Sequence, residues 1–538
     1  MRCSPGRHFT AGARRRAADA LTPSFMVGWR VWTAIACLAV GCGSGSGADR
    51  PNGRPDAATD GGSDGGSGGP SDGGVLGEIG PLGETSWTPL LDDSLSRFYR
   101  WMPSRGRDND PEGIFAMDGG TLHVLGIPAT DEEQDFGYVA TLADLGNYRA
   151  RVEQKWGTNT FAPRAGQLRD SGLLYHLTGA DQIWPQSIEF QIMEYNLGDL
   201  YMLAGTGVVA PVDDPSSSDP KFDPLGTPTG YRDGRIVKAS DPESITDWNS
   251  LELIASGRDS AQIVNGHWVS GASAIEAEGV DGGWSGLSHG HLALQAEGAE
   301  VLYRALEVRP LAYLAPPPDA EVLFDGSNTD AWTGPDGGAA GWALDGGVLQ
   351  VVPFAGDLRT HETYDDVRLH LEFQVPATPT SEAHEDRGNS GVYLQGRYEV
   401  QILDSFGLDA GSVDCGAVYG VSPPAVNEAF PPGIWQSFDI VFRAPTWDGG
   451  TKEAPARMTV VWNGSMVQQD TEVPGPTRLG DPEAPGAGPI RLQDHWNKVR
   501  YRNIWLQRLA PEAFDGGVDG GSDGGPGDGG ADAGMDGG

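Results

Sequence analysis

The chain has 538 residues, too many for one hydrophobic core, so two domains of roughly two hundred residues each are expected. Its formal net charge is −38, which argues against a nucleic-acid partner and fits a solvated acidic surface. Glycine is over-represented at 80 residues, much of it in two low-complexity runs, and the four cysteines build no disulfide framework.

Residues 31–40, VWTAIACLAV, form an apolar run preceded by Arg14, Arg15, Arg16 and Arg30 and followed by Gly41 and Cys42. The run is shorter than the ~20 residues that span a bilayer. Basic residues, a short apolar core and small residues before a cysteine predict a bacterial lipoprotein signal over 1–41, with Cys42 acylated after cleavage. An ordinary secretory signal is the alternative, and Met26 is a second possible start. Gly43 after the cysteine resembles the outer-membrane sorting pattern of enteric lipoproteins. The expected location is therefore the cell envelope, lipid-anchored, at the outer membrane or cell surface. Residues 42–84 and 511–538 are Gly-, Asp- and Ser-rich and too polar to offset their ordering entropy, so both read as disordered spacers.

Between them the chain says the same thing twice, once over 85–312 and once over 320–510. Phe115–Val124 answers Trp342–Val351, each with an Asp-Gly-Gly hairpin signal between alternating runs. Tyr148–Trp156 answers Val367–Val375, and Trp248–Leu253 answers Trp435–Ile440. Asn265-Gly266 answers Asn463-Gly464, and His291–Gln295 answers Ile490–Gln493. Many short alternating strands with turn signals and no helical period predict an all-β fold, a tandem pair of sandwiches. Residues 211–247 read as an extended loop over one edge or face. Leu311–Asp319, with three consecutive prolines, reads as the joint between two independent folding units.

The centre of each copy is an E-x-Q strand behind an S-G strand. In the second copy Arg387–Ser390 opens a turn, Ser390–Leu394 follows, and Gln395-Gly396 turns the chain into Tyr398–Asp404. Side chains alternate along a strand, so Glu399 and Gln401 share one face while Tyr398, Val400, Ile402 and Asp404 share the other. By the same rule Arg491, Gln493 and His495 share a face. In the first copy Asp170–His176 leads to Ser187–Glu194, with Glu189 and Gln191 in the matching places.

These residues carry a resemblance. The second copy resembles the 3-keto-disaccharide hydrolase family over roughly Glu321–Leu509. The likeness runs through Leu323–Gly326 with Trp332, Arg387–Asp404, Cys415–Gly420, Trp435–Ser437, Leu492–His495 and Arg502–Trp505. The first copy is similar to a subgroup through Ile188–Glu194 and Gly198-Asp199, but has Gln295-Ala296-Glu297 in place of Gln493-Asp494-His495 and Asp170 in place of Asn389. The resemblance implies a concanavalin A-like jelly roll and activity on glycosides bearing a 3-keto group.

Such a ketone acidifies the neighbouring C–H, so the chemistry needs an acid, a base and donors that polarise the carbonyl. Glu399 and His495 are the candidate pair, with Asp404 and, in the first copy, Glu189 as further catalytic candidates. Gln401, Gln493 and Tyr393 are candidates for holding sugar, and Arg387 and Arg397 for polarising the ketone. A structural alternative places Glu399 in an ion pair with Arg502. In the first copy Gln191, Glu194, Asp199 and His176 are the binding candidates. Together with Glu189 they offer an oxygen-rich set for a divalent ion, although the spacing fits no defined metal motif. No Gly-rich phosphate loop implies a nucleotide or flavin, so no cofactor is expected. The expected partners are carbohydrate and, through the lipid, the outer membrane; the chain is expected to be a monomer. A non-catalytic, lectin-like surface lipoprotein is the alternative, because one fold hosts both.

Overall fold

The computed structural model describes residues 80–125, 134–379 and 384–510. The lipoprotein signal, Cys42, most of the 42–84 spacer and the 511–538 tail lie outside them. Two tandem concanavalin A-like jelly-roll sandwiches make up the described chain, one within Thr88–Pro310 and the other within Glu321–Arg508. Among the described residues no helix is long and apolar enough to cross a membrane.

In the first sandwich one sheet runs Phe115–Asp118, Thr121–Val124, Ala299–Pro310, Tyr148–Thr160, Asn249–Ser256, Asp259–Val264, His267–Glu278. The facing sheet runs Phe98–Met102, Gly137–Thr141, His291–Ala296, Asp170–Thr178, Gln186–Met193, Leu200–Val212. His267–Glu278 serves both: its first half pairs with Asp259–Val264 and its second with Leu200–Val212. Leu200–Val212 also pairs with Thr227–Ile236, so the segment read as a loop contains a strand. That strand is mostly exposed and carries Pro228, Gly230 and Gly234, which an edge position tolerates and which hide the alternation.

The second sandwich repeats the plan. One sheet runs Ala343–Asp345, Val348–Gln350, Arg500–Arg508, Val367–Gln374, Gln436–Arg443, Ala456–Trp462, Ser465–Val473. The other runs Trp332–Thr333, Leu358–Thr360, Arg491–Leu492, Ser390–Leu394, Tyr398–Ile402. Leu369, Leu371 and Phe373 point inward from one sheet against Val392, Val400 and Ile402 of the other, and all are buried in one core. The Asn-Gly hairpins are built alike in both copies. Asn265 and Asn463 have φ of 49° and 50°, followed by glycines at 79° and 87°, as a type I′ turn requires. Each asparagine Oδ1 then accepts a backbone N–H across the turn, from Ser250 at 2.8 Å and from Ser437 at 2.9 Å.

The sandwiches are docked. Ile254, Ala261 and Ile263 of the first pack with Phe430 and Ile434 of the second and with Leu311. The expected joint is therefore partly interior: Leu311 and Ala312 are buried, and Tyr313 Oη donates to Trp435 O at 2.6 Å. Glu428 Oε2 lies 2.7 Å from Arg149 Nη1 and 3.0 Å from Arg309 Nη2 across this seam. Arg149 also meets Glu252 of its own sheet at 2.8 Å, and the equivalent pair in the second copy is Arg368 and Asp439 at 2.9 Å. There the same face is covered by the linker, whose Leu314 O accepts Asn503 Nδ2 at 2.9 Å and Trp505 Nε1 at 3.1 Å. Removing one partner of a buried ion pair leaves the other uncompensated. Glu428→Ala is therefore expected to turn one calorimetric unfolding transition into two, each sandwich melting separately. A single transition at the wild-type temperature would show that the seam contributes nothing.

Candidate active site

Ser390–Leu394 and Tyr398–Ile402 pair so that Tyr393 lies opposite Glu399 and Gly391 opposite Gln401. Val392, Leu394, Tyr398, Val400 and Ile402 face the core, so Tyr393, Glu399 and Gln401 face outward together, as the alternation predicts. Arg491–Leu492 pairs on the other side of Ser390–Leu394, placing the Arg491 guanidinium 3.7 Å from the Tyr393 ring centre. Gln493 Nε2 donates to Tyr393 Oη at 3.1 Å. Ser390 is a brace: its Oγ donates to Gln493 O and meets Tyr501 Oη, both at 2.6 Å. Gly391 leaves room for the carboxyl, since a Cβ there would stand 2.2 Å from Glu399 Oε1.

A cavity of about 290 Å³ opens over this face. Tyr393, Glu399, Gln401, Gln493 and His495 line it, five of the residues selected from the second copy. Arg387, Arg397 and Asp404 do not. Asp404 follows its strand parity away from the cavity and pairs with Arg387 at 2.9 Å, and Arg397 Nη1 donates to Gln395 Oε1 at 2.9 Å. The proposed Glu399–Arg502 pair is absent too, because Arg502 meets Glu372 at 2.5 Å. The residues missed are Glu385, Asp386, Tyr419, Arg478, Leu479 and Trp496, and Asn389, first read as a turn former, also lines the cavity. Glu385 and Asp386 lie in a short 3-10 turn, His384–Asp386, and the others in turns and loops outside the strands, where no period marks them. Tyr419 Oη donates to Glu385 Oε1 at 2.6 Å and also meets the Arg478 side chain.

Burial dominates the electrostatics. It pushes the Glu399 carboxyl up to about 8, against the lowering effects of the Tyr393 hydroxyl and Arg491, while Asp357 and Glu385 add to the rise. Burial, with the Glu399 charge behind it, likewise raises Tyr393. Glu399 is thus a neutral acid with a proton to give at pH 7. Gln493 Oε1 and His495 Nδ1 are buried without a hydrogen-bond partner among the described residues.

The first copy keeps the scaffold and changes the groups. Ser171 Oγ donates to Gln295 O and meets Tyr303 Oη, both at 2.7 Å. Glu189 and Gln191 occupy the places of Glu399 and Gln401, and Glu297 that of His495. Asp170, Glu189 and Glu297 are all buried, and burial raises all three. Their mutual repulsion adds to the rise for Asp170 and Glu189, which Arg164 opposes. Trp184 Nε1 and Gln295 Nε2 both donate to Glu297 Oε1, at 2.8 and 3.0 Å.

The other first-copy candidates are engaged elsewhere. Glu194 pairs with Arg169 at 3.0 Å. Asp199 Oδ1 accepts the Lys238 N–H at 2.9 Å, and its Oδ2 lies 3.5 Å from Arg235. His176 sits at a register break in its strand, fully buried against the Gly257 backbone, and burial pushes it down to about 3. The set read as ligands for a divalent ion is not brought together, and no His, Cys, Asp and Glu group among the described residues is arranged to hold a metal.

Comparison with curated proteins finds no match. Among solved structures, a candidate glycosyl hydrolase from Parabacteroides distasonis is 40% identical, covering 36% of this chain and 85% of that one, with a TM-score of 0.34. A β-glucanase from Bacillus licheniformis is 10% identical, covering 42% of this chain and 97% of that one, at 0.26. A carbohydrate-binding module from Bacillus subtilis is 9% identical, covering 42% and 96%, at 0.21. The family model described as the 3-keto-alpha-glucoside-1,2-lyase-like domain matches residues 86–309 and again 319–507. The chain belongs to that family and carries its domain twice in tandem.

Proposed function

We propose that the second sandwich cleaves glycosides whose sugar bears a 3-keto group, by elimination followed by hydration. The observation that carries this reading is a buried carboxyl, Glu399, which faces the same cavity as His495 and which burial pushes up to about 8. His495 takes the proton from C2, next to the ketone. The C–H electron pair forms the C1–C2 double bond as the C1–O bond breaks, and Glu399 gives its proton to the departing oxygen. Water then adds across the double bond, hydroxyl to C1 and proton to C2, for net hydrolysis. Arg478, which lines the cavity, is the donor available to the ketone oxygen.

The test is product analysis with matched 3-keto and unoxidised glucosides. Release of the aglycone from the 3-keto series alone supports the reading. Sugar binding without release from any of them would leave a carbohydrate-binding protein instead. We also propose that Cys42 carries a lipid that holds the sandwiches at the cell envelope. Cys42→Ser is expected to move the protein from the membrane to the soluble fraction. Unchanged partition and mass would remove the idea.

A further inference from the structure

Two aromatic side chains stand exposed at the mouth of the cavity. Phe354 is 80% exposed and Trp496 59% exposed, and their rings stack with centroids 5.7 Å apart and planes inclined by 28°. Both occupy the left-handed region, with φ of 70° and 67°, which bulky residues rarely adopt. Asp494 holds the two turns in place: its Oδ1 accepts Trp496 N and its Oδ2 accepts Gly356 N, each at 2.9 Å. Asp357 Oδ1 in turn accepts Asp494 N at 2.9 Å. The Trp496 ring also lies 5.3 Å from that of His495, so an aromatic run leads from the cavity out to solvent.

The cavity, about 290 Å³, is at the small end of ligand sites and holds about one sugar ring. Whatever is joined to that ring leaves by the rim, where Trp496 lines the exit. Asp494 and Asn497, on the turns that carry the shelf, are engaged. Both Asp494 oxygens are taken, Asn497 Nδ2 donates to His495 O at 3.0 Å, and Asn497 Oδ1 accepts Gly388 N at 3.1 Å. A second sugar ring needs hydrogen bonds as well as a stacking face; a flat aromatic ring needs only the face.

We infer that Phe354 and Trp496 form a subsite for a planar aromatic leaving group, so that the preferred substrates are aryl glycosides. This rests on the glycoside-cleaving reading of the same cavity. The experiment uses the full chain with Glu399→Gln, which keeps the shape of the site without the transferable proton. Binding of 2-naphthyl and methyl 3-keto-glucosides and of a 3-keto-disaccharide is measured by tryptophan fluorescence and calorimetry. The naphthyl ligand is expected to bind about 3–10-fold tighter than the methyl ligand, the range of an aromatic stacking contact. Phe354→Ala and Trp496→Ala are each expected to reduce that ratio toward one. Equal affinities, or a preference that survives both substitutions, would overturn the subsite. So would a disaccharide that binds tightest and loses its advantage in Phe354→Ala, which would give the shelf to a sugar ring. Wild-type assays separate the two ideas. Aryl-selective binding without turnover leaves the subsite and removes the acid–base reading. Turnover without aryl preference does the reverse.

Discussion

Glu399→Gln is expected to lower kcat/KM on a 3-keto-glycoside by ~10²–10⁴-fold, the usual contribution of a positioned acid or base, with little change in binding. The amide keeps the size of the side chain over Gly391 but has no acidic proton. Burial pushes the Glu399 carboxyl up to about 8, so the donating form dominates at neutral pH and is lost above that value. Wild-type kcat/KM should therefore fall as pH rises through about 8, and the variant should lack that limb. His495→Ala is expected to cost a similar factor, and the double substitution little more, because the two act in one step. Glu189→Gln in the first copy is expected to matter less. The competing assignment places catalysis in the first copy, at Glu189. Full activity in the Glu399→Gln/His495→Ala pair, with loss in Glu189→Gln, would move the active site there.

The largest expected effect on stability lies on the opposite side of the second sandwich. Asp439 is 3% exposed and receives two cations, Arg368 Nη2 at 2.9 Å and His370 Nδ1 at 2.9 Å. His370 is stacked on Trp505 with ring centroids 5.0 Å apart, and Glu372 stands 3.8 Å from its Nε2. Burial alone would lower His370, but Asp439 and Glu372 outweigh it and raise the imidazole to about 9. Asp439→Ala strands these cations and is expected to cost about 3–5 kcal/mol in urea unfolding. The pH dependence has a definite sign. A histidine raised from 6.5 to about 9 contributes fully below about 6.5, and the contribution is lost as pH rises through about 9. The gap between wild type and variant should shrink over that window. A gap independent of pH would show that His370 is neutral in the folded protein.

Strand faces were legible and loops were not. The period of two placed Glu399 with Gln401, and Gln493 with His495, because one face of those strands had to meet the core. The same parity set Asp404 on the opposite face, and there it stays, paired with Arg387. Arg387 and Arg397 were chosen for charge and nearness in sequence, which do not fix direction. Arg478 and Tyr419 stand outside the main sheet strands, so nothing in the pattern marks them. Glu297 was visible in the aligned copies as the partner of His495. It keeps a titratable group at the same distance from its glutamine. His176 fell on an apparent strand face, but the register break behind Tyr175 turns it into the interior.

The seam has a consequence in terms of symmetry. The first sandwich meets the second through the sheet face that carries Arg149 and Glu252, while the second answers with Phe430, Ile434, Glu428 and Asn463. Unlike surfaces meet, so the contact is heterologous, the kind that runs on into an open fibre unless something stops it. The face of the second sandwich equivalent to the first one's docking face carries Arg368 and Asp439. There the chain's own linker lies across Asn503 and Trp505, and Gly83 comes up against Asp439. The segment that joins the copies thus also covers the surface on which another would dock.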